Sequence, residues 1–140
     1  MNYFFIFGIF VLIILTYQDL KKRLVDSRYN FLMHGVALSL ISHYNYNLIL
    51  VFVIIVLGFF ARKYLRKYIG AGDLNALHWI MYGLLIISVQ ALVNFLILFM
   101  ATVVIYGLLK YAIFKSFNKP TAFYPVILVS FTANYLIYFI

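Results

Sequence analysis

Two aspartates in an otherwise apolar chain carry the side chains best suited to chemistry. Asp73 follows Gly70-Ala71-Gly72 at the start of a long uncharged run, and Asp19 comes two residues after the first apolar run. The glycines permit close backbone approaches that a side chain would block. Placing a carboxylate at the edge of the membrane hydrocarbon costs free energy, so such a residue is by default a candidate for a functional role. Two carboxyls held close together cannot both ionise, so that one could act as a base and the other as an acid on a water molecule.

The composition indicates a membrane protein of one domain, residues 1–140. Of its 140 residues, 67% are hydrophobic and 10% are charged, whereas roughly a quarter of the residues of a soluble domain are charged. No Cys is present, which excludes a thiolate zinc site and a Cys nucleophile. His34, His43 and His78 have no metal-ligand spacing, so we expect packing or interfacial roles for them and predict no metal or cofactor.

The apolar runs predict an all-α fold of about six short transmembrane helices. The runs cover residues 2–17, 29–41, 48–60, 74–109 and 123–140, and the run 29–41 is short for a full crossing. The uncharged run 74–109 suits two crossings of roughly 17–25 residues each, with a turn expected around residues 88–94. The first run has no basic segment before it and no small-residue cleavage site, so we interpret it as a retained span.

The placement of charge predicts the orientation. All Lys and Arg residues lie in segments 21–28, 62–67 and 110–119. Cytoplasmic loops carry an excess of Lys and Arg, so we expect these segments, and with them all three acidic residues, on the cytoplasmic side, with both termini outside. The net charge of +8 then needs no nucleic acid to explain it, although the basic segments could also hold anionic lipid headgroups.

Each aspartate also has a structural interpretation. Asp is among the preferred helix N-cap residues, so Asp73 could cap a helix after the glycine turn, and Asp19 could pair with a nearby Lys. The placement of both on one membrane face favours the functional hypothesis, with Asp26 as a competitor of Asp19. We expect Trp79 to face lipid or the interfacial belt. Small residues permit close helix packing, and the uncharged run 74–109 offers two candidates for this role, Gly83 and Gly107.

The same residues resemble the motifs of the type IV prepilin peptidases, membrane aspartyl proteases that include the archaeal preflagellin peptidases. Segment 70–74 is similar to their GxGD motif. Segment 19–25, an Asp followed by basic residues and a hydrophobic pair, resembles their first catalytic segment. Segment 119–125 resembles the Pro-containing entry to their last helix. The three matches occur in the family's order and cover nearly the whole chain.

The resemblance implies an endopeptidase of the cell membrane that cleaves the basic leader of a prepilin-like or preflagellin-like protein at the cytoplasmic face. Asp19 and Asp73 would be its catalytic residues, with Gly70 and Gly72 shaping the loop. The chain has no Cys pairs and no room for the methyltransferase domain of large bacterial members, so it resembles the short, peptidase-only form. Further candidates for substrate contact or helix entry are Asp26, Asn75, Pro120 and Pro125. Asp26 stands where the family usually has Pro, and Asn75 stands where many members have Lys.

Two other functions remain open at this point. Presenilin-type intramembrane proteases also use GxGD, but they place their aspartates within the membrane and carry a Pro-Ala-Leu motif, which Pro120-Thr121-Ala122 is not. A small transport or assembly subunit could use the carboxyls as a proton or cation site, which predicts carboxylates near the middle of a span. The sequence leaves the oligomeric state open.

Overall fold

The computed structural model describes residues 2–22, 26–43, 48–65, 70–115 and 122–139. Its described residues form helices and no strand, so the predicted all-α class and the predicted number of helices are confirmed. The helices are α1 (Asn2–Lys22), α2 (Ser27–Ser39), α3 (Leu48–Leu65), α4 (Ala71–Ile87), α5 (Val89–Phe114) and α6 (Tyr124–Phe139), with a 3₁₀ turn at Leu40–His43 after α2.

Helix α4 lies at the centre of the bundle. It packs against α2, α3, α5 and α6, while α1 packs against α6 and α2. The second half of α4, from Tyr82 to Ile87, is buried on all sides, as expected of a helix that is apolar around its whole circumference. Because α4 begins at the Gly-x-Gly-Asp segment, Asp73 stands at the end of the most buried helix.

The break between α4 and α5 is a single residue. Ser88 has an extended backbone, and its hydroxyl accepts hydrogen bonds from the backbone N–H groups of Gln90 and Ala91. A Ser N-cap satisfies the first donors of a helix without a loop. The turn predicted around residues 88–94 is therefore shorter than expected, and Gln90 and Asn94 lie inside α5, where their side chains hydrogen-bond at 2.8 Å.

Within the part of the chain that the structure describes, two helices are long and apolar enough to cross a membrane, within Tyr3–Lys21 of α1 and Val89–Ile113 of α5. Helices α4 and α6 are apolar but shorter, and α2, with 13 residues, is as short as predicted. Much of α5 presents large apolar side chains at the surface of the bundle, among them Ile97, Met100, Val104, Ile105, Leu108 and Ile113.

Aromatic rings fill the space above three glycines where helices approach closely, namely Gly8, Gly58 and Gly83. A Cβ at Gly83 would lie 2.8 Å from Cε2 of the buried Phe4 ring, and one at Gly58 would overlap the His78 imidazole. The prediction of close packing is thus confirmed for Gly83. It is wrong for Gly107, where a Cβ would meet no described atom within 4 Å, because this part of α5 faces outward.

We expect Gly83→Ala to destabilise the protein and Gly107→Ala to leave its stability unchanged or raise it. Overpacking a filled core costs about 1–3 kcal/mol, whereas Ala in place of an unhindered helical Gly gains roughly 0.5–1 kcal/mol. Thermal unfolding of both variants in one detergent measures the difference. Equal melting temperatures would contradict the packing of Phe4 against Gly83.

Candidate active site

Ends of four helices meet at one end of the bundle. They are the C-terminal end of α1 with Asp19, and the N-terminal ends of α2, α4 and α6 with Asn30, Asp73 and Tyr124. Contacts of α1 with α2 and α6, and of α4 with α2 and α6, hold these ends together. The N-terminus of a helix carries a partial positive charge, so three such ends favour negative charge at this place.

Asp73 is the third residue of α4. Gly70 is the N-cap, and its backbone N–H donates a hydrogen bond back to the Asp73 carboxylate. This is one half of a capping box, in which an acidic group at the third helical position satisfies the N-cap donor. The interpretation of Asp73 as the N-cap itself is therefore wrong. A Cβ at Gly70 would lie 2.9 Å from Oδ2 of Asp73, which is the physical reason for a glycine here.

Asp19 lies in the last turn of α1 and is half-buried. Its Oδ2, and the Oγ1 of Thr16 one turn earlier, are buried and have no hydrogen-bond partner among the described residues. The neighbouring Lys21 amine binds the Tyr17 hydroxyl at 3.0 Å instead. Buried polar atoms nearly always have a partner, so this side of the site is suited to a polar guest such as water or a peptide group.

The fold brings Asp19 and Asp73 within electrostatic range of each other. The charge of Asp19 acts on the Asp73 carboxyl, and both charges act on the hydroxyl of Tyr124. The two carboxyls thus lie at the same end of the bundle, on α1 and α4, which are well separated in the sequence. Two carboxyls at one site are the arrangement that divides acid and base roles.

Asp26 is held in a structural role between α1 and α2. It is the N-cap of α2, where Oδ1 accepts from the Arg28 backbone N–H at 3.0 Å and Oδ2 forms an ion pair with the Arg28 guanidinium at 2.8 Å. Its own N–H donates to Oε1 of Gln18. The hydrogen bonds from Arg28 lower the pKa of Asp26, so it stays ionised at neutral pH and is unsuited to hold a catalytic proton.

Asn30 joins three helices through its buried amide. Its Oδ1 accepts from Nε1 of Trp79 at 3.1 Å, and its Nδ2 donates to the Tyr124 hydroxyl at 2.9 Å and to the Gly72 carbonyl at 3.4 Å. Trp79 is fully buried, so the expectation that it faces lipid is wrong. Its ring packs in the aromatic core, and its N–H has a partner there.

Sequence reasoning missed Asn30 and Tyr124 as site residues. The available signals were an Asn in an apolar run and the position of Tyr124 inside segment 119–125. Both are polar groups that a membrane protein rarely buries without a partner, but the sequence does not show which partner.

The other predicted site residues lie around this centre. Gly72 contributes its carbonyl to Asn30, and Pro125 is the second residue of α6, within the first turn, where Pro is tolerated. Pro120 lies outside the described residues. Asn75 is on the opposite face of α4 from Asp73, as the helical period requires.

Asn75 lines a cleft of about 310 Å³ together with His34, His78 and Tyr82. The two imidazole rings lie 5.4 Å apart, and Nδ1 of His34 hydrogen-bonds to the Tyr82 hydroxyl at 2.6 Å. His34 of α2 thus meets His78 and Tyr82 of α4, although the spacing of these residues in the sequence does not indicate a shared site. The cleft is separated from the aspartates by α4 itself.

No model of a known protein family, no curated protein and no solved structure matches this chain. The case for a function therefore depends on its own residues and their contacts.

We expect Asp26→Ala to lower the melting temperature more than Asp26→Asn, because Asn is as good an N-cap as Asp and Ala is a poor one. Both variants lose the ion pair with Arg28, so the difference between them isolates the cap. Unfolding of the two proteins under identical conditions tests this. A more stable Asp26→Ala protein would contradict the capping role.

Proposed function

We propose that this chain is a membrane aspartyl endopeptidase in which Asp19 and Asp73 activate a water molecule. The observation that carries the proposal is the packing that gathers the end of α1, with Asp19, and the start of α4, with Asp73, at one end of the bundle. The unpartnered Oδ2 of Asp19 supports it, because the attacking water or the scissile peptide would provide a hydrogen-bond partner for this atom.

In the proposed reaction one carboxylate takes a proton from water while the other, protonated, gives its proton to the scissile carbonyl oxygen. The water oxygen adds to the carbonyl carbon and forms a tetrahedral diol. As the C–N bond breaks, the protonated carboxyl gives its proton to the leaving nitrogen and one diol hydroxyl gives its proton to the other carboxylate, so that a carboxylic acid and an amine are released. The pair returns to its singly protonated state, so that atoms and protons balance.

The surrounding helix ends suit this chemistry. The N-termini of α4 and α6 direct partial positive charge toward the carboxyls, and the Asp73 carboxylate accepts a backbone hydrogen bond from Gly70. Fixed donors of this kind stabilise the negative charge that develops during water attack. A transport role would need carboxylates midway along a helix, whereas Asp19 and Asp73 both stand near helix ends.

The proposed setting is the cell membrane, with six spans, both termini outside and the aspartates at the cytoplasmic face. The lengths of α1 and α5 and the apolar surface of α5 support burial in lipid. The three basic segments, 21–28, 62–67 and 110–119, support the orientation, because cytoplasmic loops are rich in Lys and Arg.

The proposed substrate is a prepilin-like or preflagellin-like protein, with a basic leader followed by a hydrophobic helix. The three motif resemblances, in segments 19–25, 70–74 and 119–125, support this class. Such a substrate would bring its scissile bond to the cytoplasmic face, where the proposed orientation puts the two aspartates.

We expect Asp19→Asn and Asp73→Asn each to reduce cleavage of a co-expressed prepilin-like protein by about 10²–10⁴-fold, the usual contribution of an acid or base. Asp26→Asn, which keeps a good N-cap residue at its position, is the matched control and should still cleave. Shortening of the substrate on a gel, confirmed by its mass, is the readout. The proposal fails if both Asn variants of the pair cleave at the wild-type rate.

The orientation has its own test, made simple because the chain contains no Cys. We expect Lys63→Cys to react with a membrane-impermeant thiol reagent from the cytoplasmic side and Val89→Cys to react from the opposite side. Both side chains are exposed in the isolated bundle. Labelling of both positions from the same side would contradict the proposed topology.

A further inference from the structure

The hydroxyl of Tyr124 has a proton to donate, as its hydrogen bonds show. Indole Nε1 is a donor only, so Oδ1 of Asn30 must face Trp79, and the Asn30 Nδ2 must face Tyr124. An amide nitrogen donates and does not accept. The Tyr124 oxygen is therefore the acceptor in the 2.9 Å bond to Asn30, and its own proton is left for another acceptor.

The surroundings place this hydroxyl at the same end of the bundle as the aspartates. Tyr124 is fully buried at the first residue of α6, and the negative charges of Asp73 and Asp19 both act on its hydroxyl. No hydrogen bond joins the hydroxyl to either carboxyl within the described structure. Because the same Asn30 Nδ2 also binds the Gly72 carbonyl, the hydroxyl lies beside the turn that carries Asp73.

We propose that Tyr124 is a catalytic residue that donates a hydrogen bond to the oxygen of the tetrahedral intermediate, and that Asn30 and Trp79 are its positioning residues. This inference rests on the peptidase function proposed above. As water adds to the carbonyl carbon, an electron pair moves onto the carbonyl oxygen. That oxygen receives the proton of one carboxyl and the hydrogen bond of Tyr124.

The buried network makes the donor effective. Asn30 and Tyr124 have exposed fractions of 1% and 0%, and Asn30 is held from α4 by the Trp79 N–H and the Gly72 carbonyl. A donor that is already oriented needs no reorganisation when charge develops. The Gly72 contact also links Tyr124 to the turn that carries Asp73, so the Asn30 amide helps to position both the Tyr124 hydroxyl and the Asp73 carboxyl.

The test is the Tyr124→Phe variant, with Tyr82→Phe as its matched control. Tyr82 is an equally buried tyrosine whose hydroxyl bonds to His34 on the opposite side of α4. Loss of one oxyanion donor lowers kcat by about 10²–10³-fold, and we expect this loss with little change in KM for Tyr124→Phe. Tyr82→Phe should keep kcat within a few fold, and melting temperatures should show that both proteins are folded.

A second variant separates positioning from folding. Asn30→Ala should lower kcat in the wild-type background but have little further effect in the Tyr124→Phe background, because it acts through the same hydroxyl. It also supplies a kcat measurement if Tyr124→Phe does not fold. Independent, multiplying effects of the two substitutions would overturn the positioning role of Asn30.

The outcomes distinguish this inference from the proposed function. If the wild-type protein cleaves and Tyr124→Phe keeps the kcat of Tyr82→Phe, Tyr124 is not an oxyanion donor, while the peptidase stands. If the wild-type protein does not cleave the prepilin-like substrate, the peptidase proposal fails and this inference falls with it. A separate binding measurement uses a substrate peptide with a hydroxyethylene group at the scissile bond. Tyr124→Phe should weaken its binding, and Tyr82→Phe should not.

Discussion

The buried amide of Asn30 is the constraint on which the rest of the site depends. A side-chain amide removed from water must have its hydrogen bonds made within the protein. Here its oxygen is satisfied by Trp79, and its nitrogen by Tyr124 and the Gly72 carbonyl. These partners lie on α4 and α6, so the positions of the first turns of α2, α4 and α6 are coupled to one another through a single side chain.

That coupling explains why short helices suffice to build a site. The Asp73 carboxyl is held at the start of α4 by Gly70, and α1, which carries Asp19, packs against both α2 and α6. The two carboxyls therefore meet at a junction of helix ends rather than within one helix. A site at helix ends also receives the partial charges of those ends, which apolar surroundings do not screen as water would.

Much of the fold follows from the sequence, because uncharged runs and basic segments mark the helices and their ends. The sequence also places Asp19 and Asp73 at the ends of their runs. It does not reveal the capping role of Asp26, which depends on the backbone conformation before α2, or the burial of Trp79, which depends on Asn30 from another helix. Partners across helices are set by packing, and one sequence without its relatives carries no record of them.

The most direct test of the account is whether positions 19 and 73 are neighbours in the membrane. A protein with Asp19→Cys and Asp73→Cys, in a chain without other Cys, should be joined by a short bifunctional thiol reagent, as measured by the intact mass. The pair Asp19→Cys and Asn75→Cys is the control and should be joined much less, because Asn75 lies on the opposite face of α4 from Asp73. Efficient cross-linking of the control, with none between positions 19 and 73, would contradict the proposed pair.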